Sequence, residues 1–277
     1  MYIVQEEEEM KKLIIFVTML LFVVACTAKP VEDCVAVEFT KAYSQNIDYG
    51  HLSGLEGLSQ KTISFWVNFD DLSATTNVVY IAGNGGGVGD EAWGLVVGYG
   101  NVANSITFAE GFSAGIGQGS WRIAGLSTGT NYHIAITYDR TNIANDPIFM
   151  VNGTVVSPTE LDTPSGSALT GTGSQFRLGD ALVSSPISFS LDGKLQDVRI
   201  YNRILSTNEI ETLANSKCLK TVMNGLVFWA PMWGTNDQSF DGLTLTSSHR
   251  IADWVTDAVG TPAGSPIGRG NTIQPLK

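Results

Sequence analysis

Basic residues are scarce in this chain. Lysine and arginine together number 16, against 27 aspartates and glutamates, and the formal net charge is −11. Proteins that bind nucleic acids need clustered positive charge to neutralise phosphates. The sequence contains no basic run beyond Lys11 and Lys12. We therefore expect no nucleic-acid partner.

Histidine is also rare, and the common catalytic motifs are missing. His51, His133 and His249 lie in unrelated contexts, and the sequence has no G-x-S-x-G or H-E-x-x-H pattern. His133 falls inside a predicted strand, which favours a structural role over that of a catalytic base. The glycine-rich segment 83–89 lacks the G-K-[ST] of a phosphate-binding loop. The sequence therefore predicts that the protein is not an enzyme.

The longest apolar run is too short to cross a bilayer comfortably. Two lysines precede Leu13 to Ala25, and Cys26 follows. A basic start, a short apolar run and a small-residue cleavage site are typical of a secretory signal. Residues 23–26, V-V-A-C, resemble a bacterial lipobox, in which Cys26 becomes the acylated first residue of the mature chain. A plain signal peptide with an incidental cysteine is the alternative.

The residues before Met10 do not fit this scheme. Four consecutive glutamates, Glu6 to Glu9, are consistent with a translated purine-rich ribosome-binding sequence, so we interpret Met10 as the true start. Residues 1–25 are then upstream residues and signal peptide, and residues 26–34 are a tether. Because a multiply acylated cysteine holds a protein firmly to a membrane, we expect an exported lipoprotein at the outer membrane or cell surface.

The chain has only three cysteines. If Cys26 carries lipid, Cys34 and Cys218 remain as a pair in an oxidising compartment. Cys34 precedes the first predicted strand, and Cys218 follows the helix after the last one. A bridge between them would close nearly the whole domain and add up to about 4 to 5 kcal/mol of stability on the chain-entropy model. Two unpaired buried thiols are the alternative.

Short alternating segments, separated by glycine and asparagine turns, are abundant. In K-T-I-S-F-W-V-N-F the residues Ile63, Phe65, Val67 and Phe69 share one face. Asn152-Gly153 supplies the positive φ values of a type I′ hairpin turn. Further strands are predicted at 35–39, 78–82, 93–99, 105–109, 132–138, 176–179, 187–189 and 225–234, whereas 43–49 is expected to be a polar stretch along the sheet rim. Such spacing predicts a β-sandwich.

The stretch from Ser190 to Asn215 combines a strand with a short helix. Val198 and Ile200 alternate with polar neighbours, which predicts one buried and one solvated face. Ser206 and Glu209 have the spacing of a capping box at a helix start. The pattern D-G-K-L-x-D-V-R-I-Y-N-R-x-L-S-x-x-E-I resembles the closing strand and helix of bacterial laminin-G-like domains of the concanavalin A-like lectin and glucanase group. A generic strand, turn and helix is the alternative.

The resemblance covers residues 35–216 and implies an all-β fold, a concanavalin A-like jelly-roll β-sandwich with one short helix after the closing strand. It also implies a structural calcium ion at the sandwich rim, and Asp197 and Asp192 match acidic positions of the motif. Pairing of Asp197 with a neighbouring arginine is the alternative. Residues 217–277 form a C-terminal extension, for which we expect packed strands and an irregular tail at 260–271. A partner-docking segment is the alternative.

Carbohydrate recognition at loops of the sandwich rim is the preferred function. Sugars stack on exposed aromatic rings while amides and carboxylates bind their hydroxyls. Residues of these types lie in or beside glycine-rich loops, namely Trp93, Tyr99, Trp121, Asn84, Asp90 and Asn101. Core packing of the aromatic residues is the alternative interpretation.

Two other functions compete with glycan binding. One is a structural or adhesive module that binds an extracellular protein. The other is a jelly-roll glycoside hydrolase, which needs three carboxylates on one strand. Glu160 and Asp162 are the nearest candidates, but Ser165 stands where the acid would lie, and Pro164 disfavours a central strand there. The hydrolase is therefore the least favoured.

Overall fold

The computed structural model describes residues 35–40, 46–74, 79–84, 93–113, 117–180, 190–231, 244–245, 251–252, 259–263 and 271–275, the last four ranges as backbone alone. The predicted signal and tether residues, including Cys26 and Cys34, lie outside these ranges, as do Asp90 and the strand predicted at 187–189. The chain divides into two units at residue 33, and every element below belongs to the second.

Strands dominate the described residues. In chain order they are β1 (Val35–Phe39), β2 (Asn46–His51), β3 (Gln60–Phe69), β4 (Val79–Asn84), β5 (Trp93–Val97), β6 (Ser105–Gly111), β7 (Gln118–Ala124), β8 (Asn131–Asp139), β9 (Ile148–Val151), β10 (Thr154–Val156), β11 (Thr159–Asp162), β12 (Gln175–Leu178), β13 (Gly193–Tyr201), β14 (Leu226–Ala230), β15 (Thr244–Leu245), β16 (Ile251–Ala252), β17 (Val259–Ala263) and β18 (Asn271–Pro275). The helix α1 (Thr207–Asn215) follows β13.

Two antiparallel sheets form a sandwich. Sheet A has the order β10-β9-β8-β3-β13-β1-β18-β15, with β14 also paired to β13, and sheet B has the order β11-β7-β6-β5-β4-β12-β2-β17-β16. The first strand pairs with the closing strand, with Val37 opposite Leu195. The all-β sandwich expected from the sequence is therefore confirmed, as is the short α-helix after the closing strand; the described residues also include two 3-10 helices, Ser53–Leu55 and Tyr99–Asn101.

The main core lies between the sheets and follows the alternation of the strands. Ile63, Phe65, Val67 and Phe69 of β3 are all buried there. The hairpin of β9 and β10 turns at Asn152 and Gly153, whose φ values are +51° and +79°. Both sequence predictions are correct because period-two burial and turn chemistry act locally.

Some segments differ from the sequence predictions. The polar stretch expected at 43–49 contains most of β2, whose Ile47 and Tyr49 belong to the core. The strands β7 and β11 were not predicted. In the tail expected to be irregular, the structure has most of β17 and the first residue of β18. The strand β18 pairs with β1, and β17 pairs with β2. These two strands are held by main-chain pairing with strands that are distant in sequence, and local sequence patterns do not indicate such pairing.

The closing strand β13 is buried on both faces. Asp197, Arg199 and Tyr201 are at most 3% exposed, so the expected solvated face is wrong. On this side of the sheet, residues of α1 and of the neighbouring strand β14 pack with Tyr201 in a second apolar cluster. Ser206 and Glu209 form the predicted capping box. Among the described residues, no helix has the length and apolarity needed to span a membrane.

Candidate functional site

The two tryptophans expected at the rim are core residues. Trp93 and Trp121 are each 1% exposed. The Trp93 ring lies 5.9 Å from that of Phe176, and the Trp121 ring lies 5.2 Å from that of Tyr138. The expectation that both are exposed to ligand is therefore wrong, because their strands turn these side chains toward the opposite sheet.

The amide of Asn84 is also buried. Its side chain is 1% exposed, and Nδ2 donates to the carbonyl oxygen of Leu55 at 3.4 Å. Tyr99 is partly exposed and Asn101 is exposed. Of the six residues expected to bind ligand, these two are the described residues that reach solvent.

Tyr99 belongs to a small apolar cluster outside the main core. It packs with Tyr80 and Val96, which lie opposite each other on β4 and β5. The neighbours of Val96, Leu95 and Val97, face the main core. Alternation along β5 therefore places the cluster on the outer face of sheet B.

A guanidinium lies beside this cluster. Arg122 is partly exposed on β7, between the core residues Trp121 and Ile123, so its side chain also faces outward. Its Nη1 atom donates to the carbonyl oxygen of Tyr99 at 3.4 Å. We call Tyr80, Val96, Tyr99, Asn101 and Arg122 the Tyr99 patch. The alternation of S-W-R-I-A could have identified Arg122 as outward-facing, but the sequence interpretation did not use it.

A tight turn holds Tyr99 and Asn101 between β5 and β6. Gly98, Gly100 and Asn101 have φ values of +65°, +67° and +63°. Glycine and asparagine are the residues that adopt this left-handed conformation most readily. The Gly98 amide also donates to the carbonyl oxygen of Ser105 at 3.1 Å. The turn therefore presents an aromatic ring and an amide from one short segment.

The family of the chain follows from the sequence match taken with this fold. Residues 42–211 match the profile of Laminin_G_3, described as the concanavalin A-like lectin/glucanases superfamily. The chain belongs to this superfamily. A comparison with curated proteins gave no match.

Solved structures share the fold of this concanavalin A-like domain at low sequence identity. A putative carbohydrate binding protein from Bacteroides ovatus is 19% identical with a TM-score of 0.59, and the match covers 90% of this chain and 62% of that chain. A heptameric SAP-like pentraxin from Limulus polyphemus is 14% identical with a TM-score of 0.50, covering 89% of this chain and 97% of that one. At these identities the likeness shows the fold alone.

Asp197, expected to bind calcium, is enclosed by hydrogen-bond donors. It accepts hydrogen bonds from Arg199 Nε at 2.9 Å and Nη2 at 3.1 Å, from Trp229 Nε1 at 2.6 Å and from the Cys218 amide at 2.7 Å. Arg199 also donates to two carbonyl oxygens of residues 219 and 221. This geometry matches the alternative in which Asp197 pairs with a neighbouring arginine.

Asp192 directly precedes β13, whereas Asp197 lies in the middle of that strand. The Asp192 carbonyl oxygen accepts from the amides of Asp70 and Asp71 at 2.9 and 3.3 Å. Asp197 lies five positions further along the chain, about 16 Å for extended backbone, so the structure does not bring the two residues together. Among the residues that the structure describes, no group of three or more His, Cys, Asp or Glu side chains is placed to hold a metal.

Cys218 is disulfide-bonded. Cys26 and Cys34 are the only other cysteines of the sequence, and both lie outside the described residues. The pairing of Cys218 with Cys34 stays a prediction, as does acylation of Cys26.

A buried ion cluster in the core of this concanavalin A-like domain escaped the sequence interpretation. Lys61 Nζ donates to both Glu110 oxygens at 2.6 Å, and Arg140 Nη1 donates to Glu110 Oε1 at 2.8 Å. Burial lowers the pKa of Lys61, while the charge of Glu110 opposes this shift. Position 61 falls on the same core-facing side of β3 as Ile63, so the alternation of this strand could have predicted that Lys61 is buried.

The nearest glycosidase-like carboxylates lie on an edge strand. Glu160 and Asp162 belong to β11, which pairs with β7 through a register shift between them. Asp162 accepts hydrogen bonds from Gln118 and Ser120, and Glu160 is exposed. The two carboxylates therefore have different surroundings on an irregular strand.

Proposed function

We propose that this chain is an exported, surface-anchored recognition module that binds carbohydrate without catalysis. One observation carries the proposal: the outer face of sheet B presents the partly exposed Tyr99 on an apolar cluster, with Arg122 and the exposed Asn101 beside it. The site differs from the one expected from sequence, since Trp93, Trp121 and Asn84 are buried.

The chemistry of the Tyr99 patch suits a sugar. An aromatic ring supports the apolar face of a pyranose, and neighbouring guanidinium and amide groups bind hydroxyls. The Bacteroides ovatus structure with the same fold is titled a putative carbohydrate binding protein, which supports the proposal. The absence of catalysis is supported by Glu110, which two buried cations neutralise, and by the dissimilar settings of Glu160 and Asp162.

Tyr99→Ala tests the function. A glycan array, run with and without calcium, is expected to give selective hits that weaken at least about threefold in the variant, since aromatic contacts contribute about 0.5 to 1.5 kcal/mol. Val155→Ala on the outer edge of sheet A is the matched control, because Val155 is 55% exposed and far along the other sheet. An array without selective hits would refute the proposed function.

The surface anchor is a separate part of the proposal. Cys26 at the end of the lipobox-like segment is the proposed acylation site. Metabolic labelling with palmitate is expected to mark the protein and to be lost in Cys26→Ser. Unlabelled protein released into the medium would contradict the anchor while leaving the sugar site unaffected.

Calcium belongs to the proposal as a structural ion implied by the resemblance. Four hydrogen-bond donors surround the Asp197 carboxylate, so a calcium ion bound there would have to displace at least one of them; Asp192 is the other carboxylate that the resemblance implies. Isothermal titration with calcium, and melting with and without a chelator, tests the ion. If calcium gives no heat of binding and the chelator leaves the melting temperature unchanged, the protein does not bind a structural calcium ion.

Adhesion to a protein is the second candidate, and one surface favours it. Ile148 and Val155 are 50% and 55% exposed on neighbouring strands at one end of sheet A. Exposed apolar side chains at a sheet edge suit a protein contact. Blank glycan arrays, together with a captured protein whose binding is lost in Val155→Asp, would favour adhesion.

A further inference from the structure

The buried ion cluster joins the two sheets across the interior of the sandwich. Lys61 lies on β3 of sheet A, and Glu110 lies on β6 of sheet B. Both side chains point inward, because they alternate in step with Ile63 and Phe108 of the main core. Their side chains are 1% and 0% exposed. An amine and a carboxyl group therefore meet in a part of the molecule that bulk water does not reach.

The amine and the carboxyl group are close enough to react. Lys61 Nζ lies 2.6 Å from both Oε1 and Oε2 of Glu110. Two such contacts place Nζ about 3 Å from the carboxyl carbon, the separation of reacting atoms in a near-attack arrangement. Rotation of the carboxyl group about its Cγ–Cδ bond turns the carbonyl face toward the amine. Because well-oriented groups of one molecule react as if at about 10⁵ to 10⁸ M, this geometry favours condensation.

A second cation makes the carboxyl carbon of Glu110 more electrophilic. Arg140 Nη1 donates to Glu110 Oε1 at 2.8 Å, and the Arg140 side chain is 6% exposed. A fixed guanidinium in a site that excludes water stabilises negative charge on the oxygen of a tetrahedral intermediate. Arg140 also donates to the carbonyl oxygen of Leu169. It therefore keeps a second acceptor when the carboxylate loses its charge.

Burial favours the neutral groups that the reaction needs. It lowers the pKa of Lys61, and transfer of one proton from Nζ to Glu110 gives a free amine beside a carboxylic acid. Tyr138 lies opposite Lys61 on β8, and burial, followed by the charge of Glu110, raises its pKa. In the described part of the chain its buried hydroxyl has no hydrogen-bond partner. A protonated hydroxyl is therefore available in the same row to assist proton transfer.

The interior around the pair favours a neutral amide over two charges. Trp93 lies opposite Glu110 and is 1% exposed, so an indole ring separates this part of the cluster from solvent. The attraction within a buried ion pair repays its desolvation only in part. Condensation replaces the two charges by one amide and releases a water molecule to the solvent. Exclusion of water then protects the amide from hydrolysis.

We propose that Lys61 and Glu110 condense into an intramolecular isopeptide bond that links sheet A to sheet B. The bond forms between Nζ and Cδ, and the Cδ–Oε2 bond breaks. Oε2 leaves as water with two of the three ammonium protons, so the step needs no oxidant, reductant or cofactor. The remaining amide oxygen, Oε1, still accepts from Arg140. This inference is independent of carbohydrate binding and adds a covalent modification to the fold.

Peptide mapping of the purified full chain, denatured and reduced, tests the bond. Trypsin cleaves after lysine and arginine, and between Lys41 and Arg122 the sequence has Lys61 as its one such residue. A linked Lys61 resists trypsin. Residues 42–122 are therefore expected as one fragment that is about 18 Da, one water, lighter than its sequence.

A protease specific for glutamate gives a second map of the same bond. It cleaves at Glu56, Glu91 and Glu160 but not at a linked Glu110. Residues 57–91 and 92–160 are therefore expected to stay joined as one branched product, and fragmentation of this product should locate the link at Lys61.

Lys61→Arg keeps a positive charge beside Glu110 but replaces the amine by a guanidinium that stays protonated. Trypsin still cleaves after arginine, so this variant is expected to give two separate fragments at their full masses. Lys194→Arg, at the partly exposed pair with Asp70, is the matched control and is expected to keep the single lighter fragment.

Wild-type protein that trypsin cuts at Lys61, with both fragments at their full masses, overturns the proposal and leaves an ion pair only. A loss of mass that maps instead to a succinimide at Asn152–Gly153 also overturns it. The two wild-type maps decide the question on their own if Lys61→Arg does not fold. Neither result changes the glycan array or the Tyr99→Ala comparison, so failure of the bond and failure of sugar binding are separate outcomes.

Discussion

Asp197 accepts four hydrogen bonds on the side of the closing strand that carries the second apolar cluster. Its φ value is +52°, and its carboxylate receives Arg199, Trp229 and the Cys218 amide while it is 3% exposed. The Arg199 guanidinium in turn lies 4.6 Å from the centre of the Trp229 ring. One carboxylate therefore joins β13, β14 and the segment after α1.

Asp197→Ala is expected to destabilise the protein by about 3 to 5 kcal/mol, because it leaves a buried guanidinium without its partner. Urea unfolding measures the loss. Lys194→Ala, at a partly exposed pair with Asp70 and Glu38, is the control and should cost at most about 1 kcal/mol. Equal effects of both variants would contradict the role given to Asp197.

His133 is expected to make the folded state less stable at acid pH. Burial, and then the charges of Arg199 and Lys217, lower its pKa to about 3, so the folded state keeps it neutral. The unfolded chain binds a proton below about pH 6.5. The stability that neutral His133 contributes is therefore fully present above about pH 6.5 and is lost as the pH falls toward 3.

The expected size follows from about 1.4 kcal/mol for each pKa unit. Between pH 7 and pH 4.5, wild type should lose about 2 to 3 kcal/mol more stability than His133→Gln. Chemical denaturation at the two pH values measures this difference. Parallel losses in both proteins would show that His133 does not titrate on unfolding.

Single residues of the site were only partly predictable from sequence. Trp93 lies in W-G-L-V-V, where an unbroken apolar run gives no alternation to choose a face. In S-W-R-I-A, the apolar Trp121 and Ile123 alternate with Arg122, and this alternation does predict that Trp121 faces the core. The enclosure of Asp197 depends on Trp229 and Cys218, which are distant in sequence, and no local pattern reports such contacts.

At the scale of elements, α1 shows local chemistry that sequence does reveal. The Ser206 hydroxyl accepts from the Glu209 amide, and the Glu209 carboxylate accepts from the Ser206 amide at 2.8 Å. Hydrogen bonding from Arg203 first, and from Ser206 next, lowers the pKa of Glu209 to about 2. Capping and turn motifs are predictable because all their partners lie within a few residues.

Ser206→Ala removes the cap and is expected to cost about 1 kcal/mol. Thermal unfolding monitored by circular dichroism measures the change. Thr212→Ala, on an exposed position of the same helix, is the control, since its hydroxyl donates within the helix to the Asn208 carbonyl. A cap variant as stable as wild type would argue against the contribution of the capping box.

Strands added by distant segments were harder to predict. The apolar run at 225–234 contains β14 as expected. In contrast, β17 pairs with the distant β2, although its sequence, V-G-T-P-A, suggested no strand. Pairing with an existing edge supplies hydrogen bonds that compensate for weak intrinsic preference.

At the scale of the whole molecule, the C-terminal strands continue both sheets. β18 pairs with β1, and β17 pairs with β2. Deletion of residues 232–277 keeps β14 and its core residues but leaves the edges of β1 and β2 without these partners. We expect the truncated protein to aggregate, which size-exclusion chromatography would detect. A monomeric truncated protein that loses a partner would instead favour a docking role.

The disulfide at Cys218 acts on the same scale. Its pairing with Cys34 would close the chain from before β1 to after α1, and we expect reduction to lower stability by up to about 4 to 5 kcal/mol. Peptide mapping under non-reducing conditions, with Cys34→Ser as the matched variant, identifies the partner. A peptide linking Cys218 to Cys26 would contradict both the pairing and the lipid anchor.

Burial of the indole rings determines which spectroscopic signals can follow this protein. Trp93, Trp121 and Trp229 are each 1% exposed, and Lys217 covers the ring of Trp66 at 4.0 Å. Their fluorescence should be blue-shifted and poorly quenched by acrylamide, and it should respond to denaturation. A glycan at Tyr99 would touch none of these four rings, so their emission should stay unchanged during a titration that calorimetry detects.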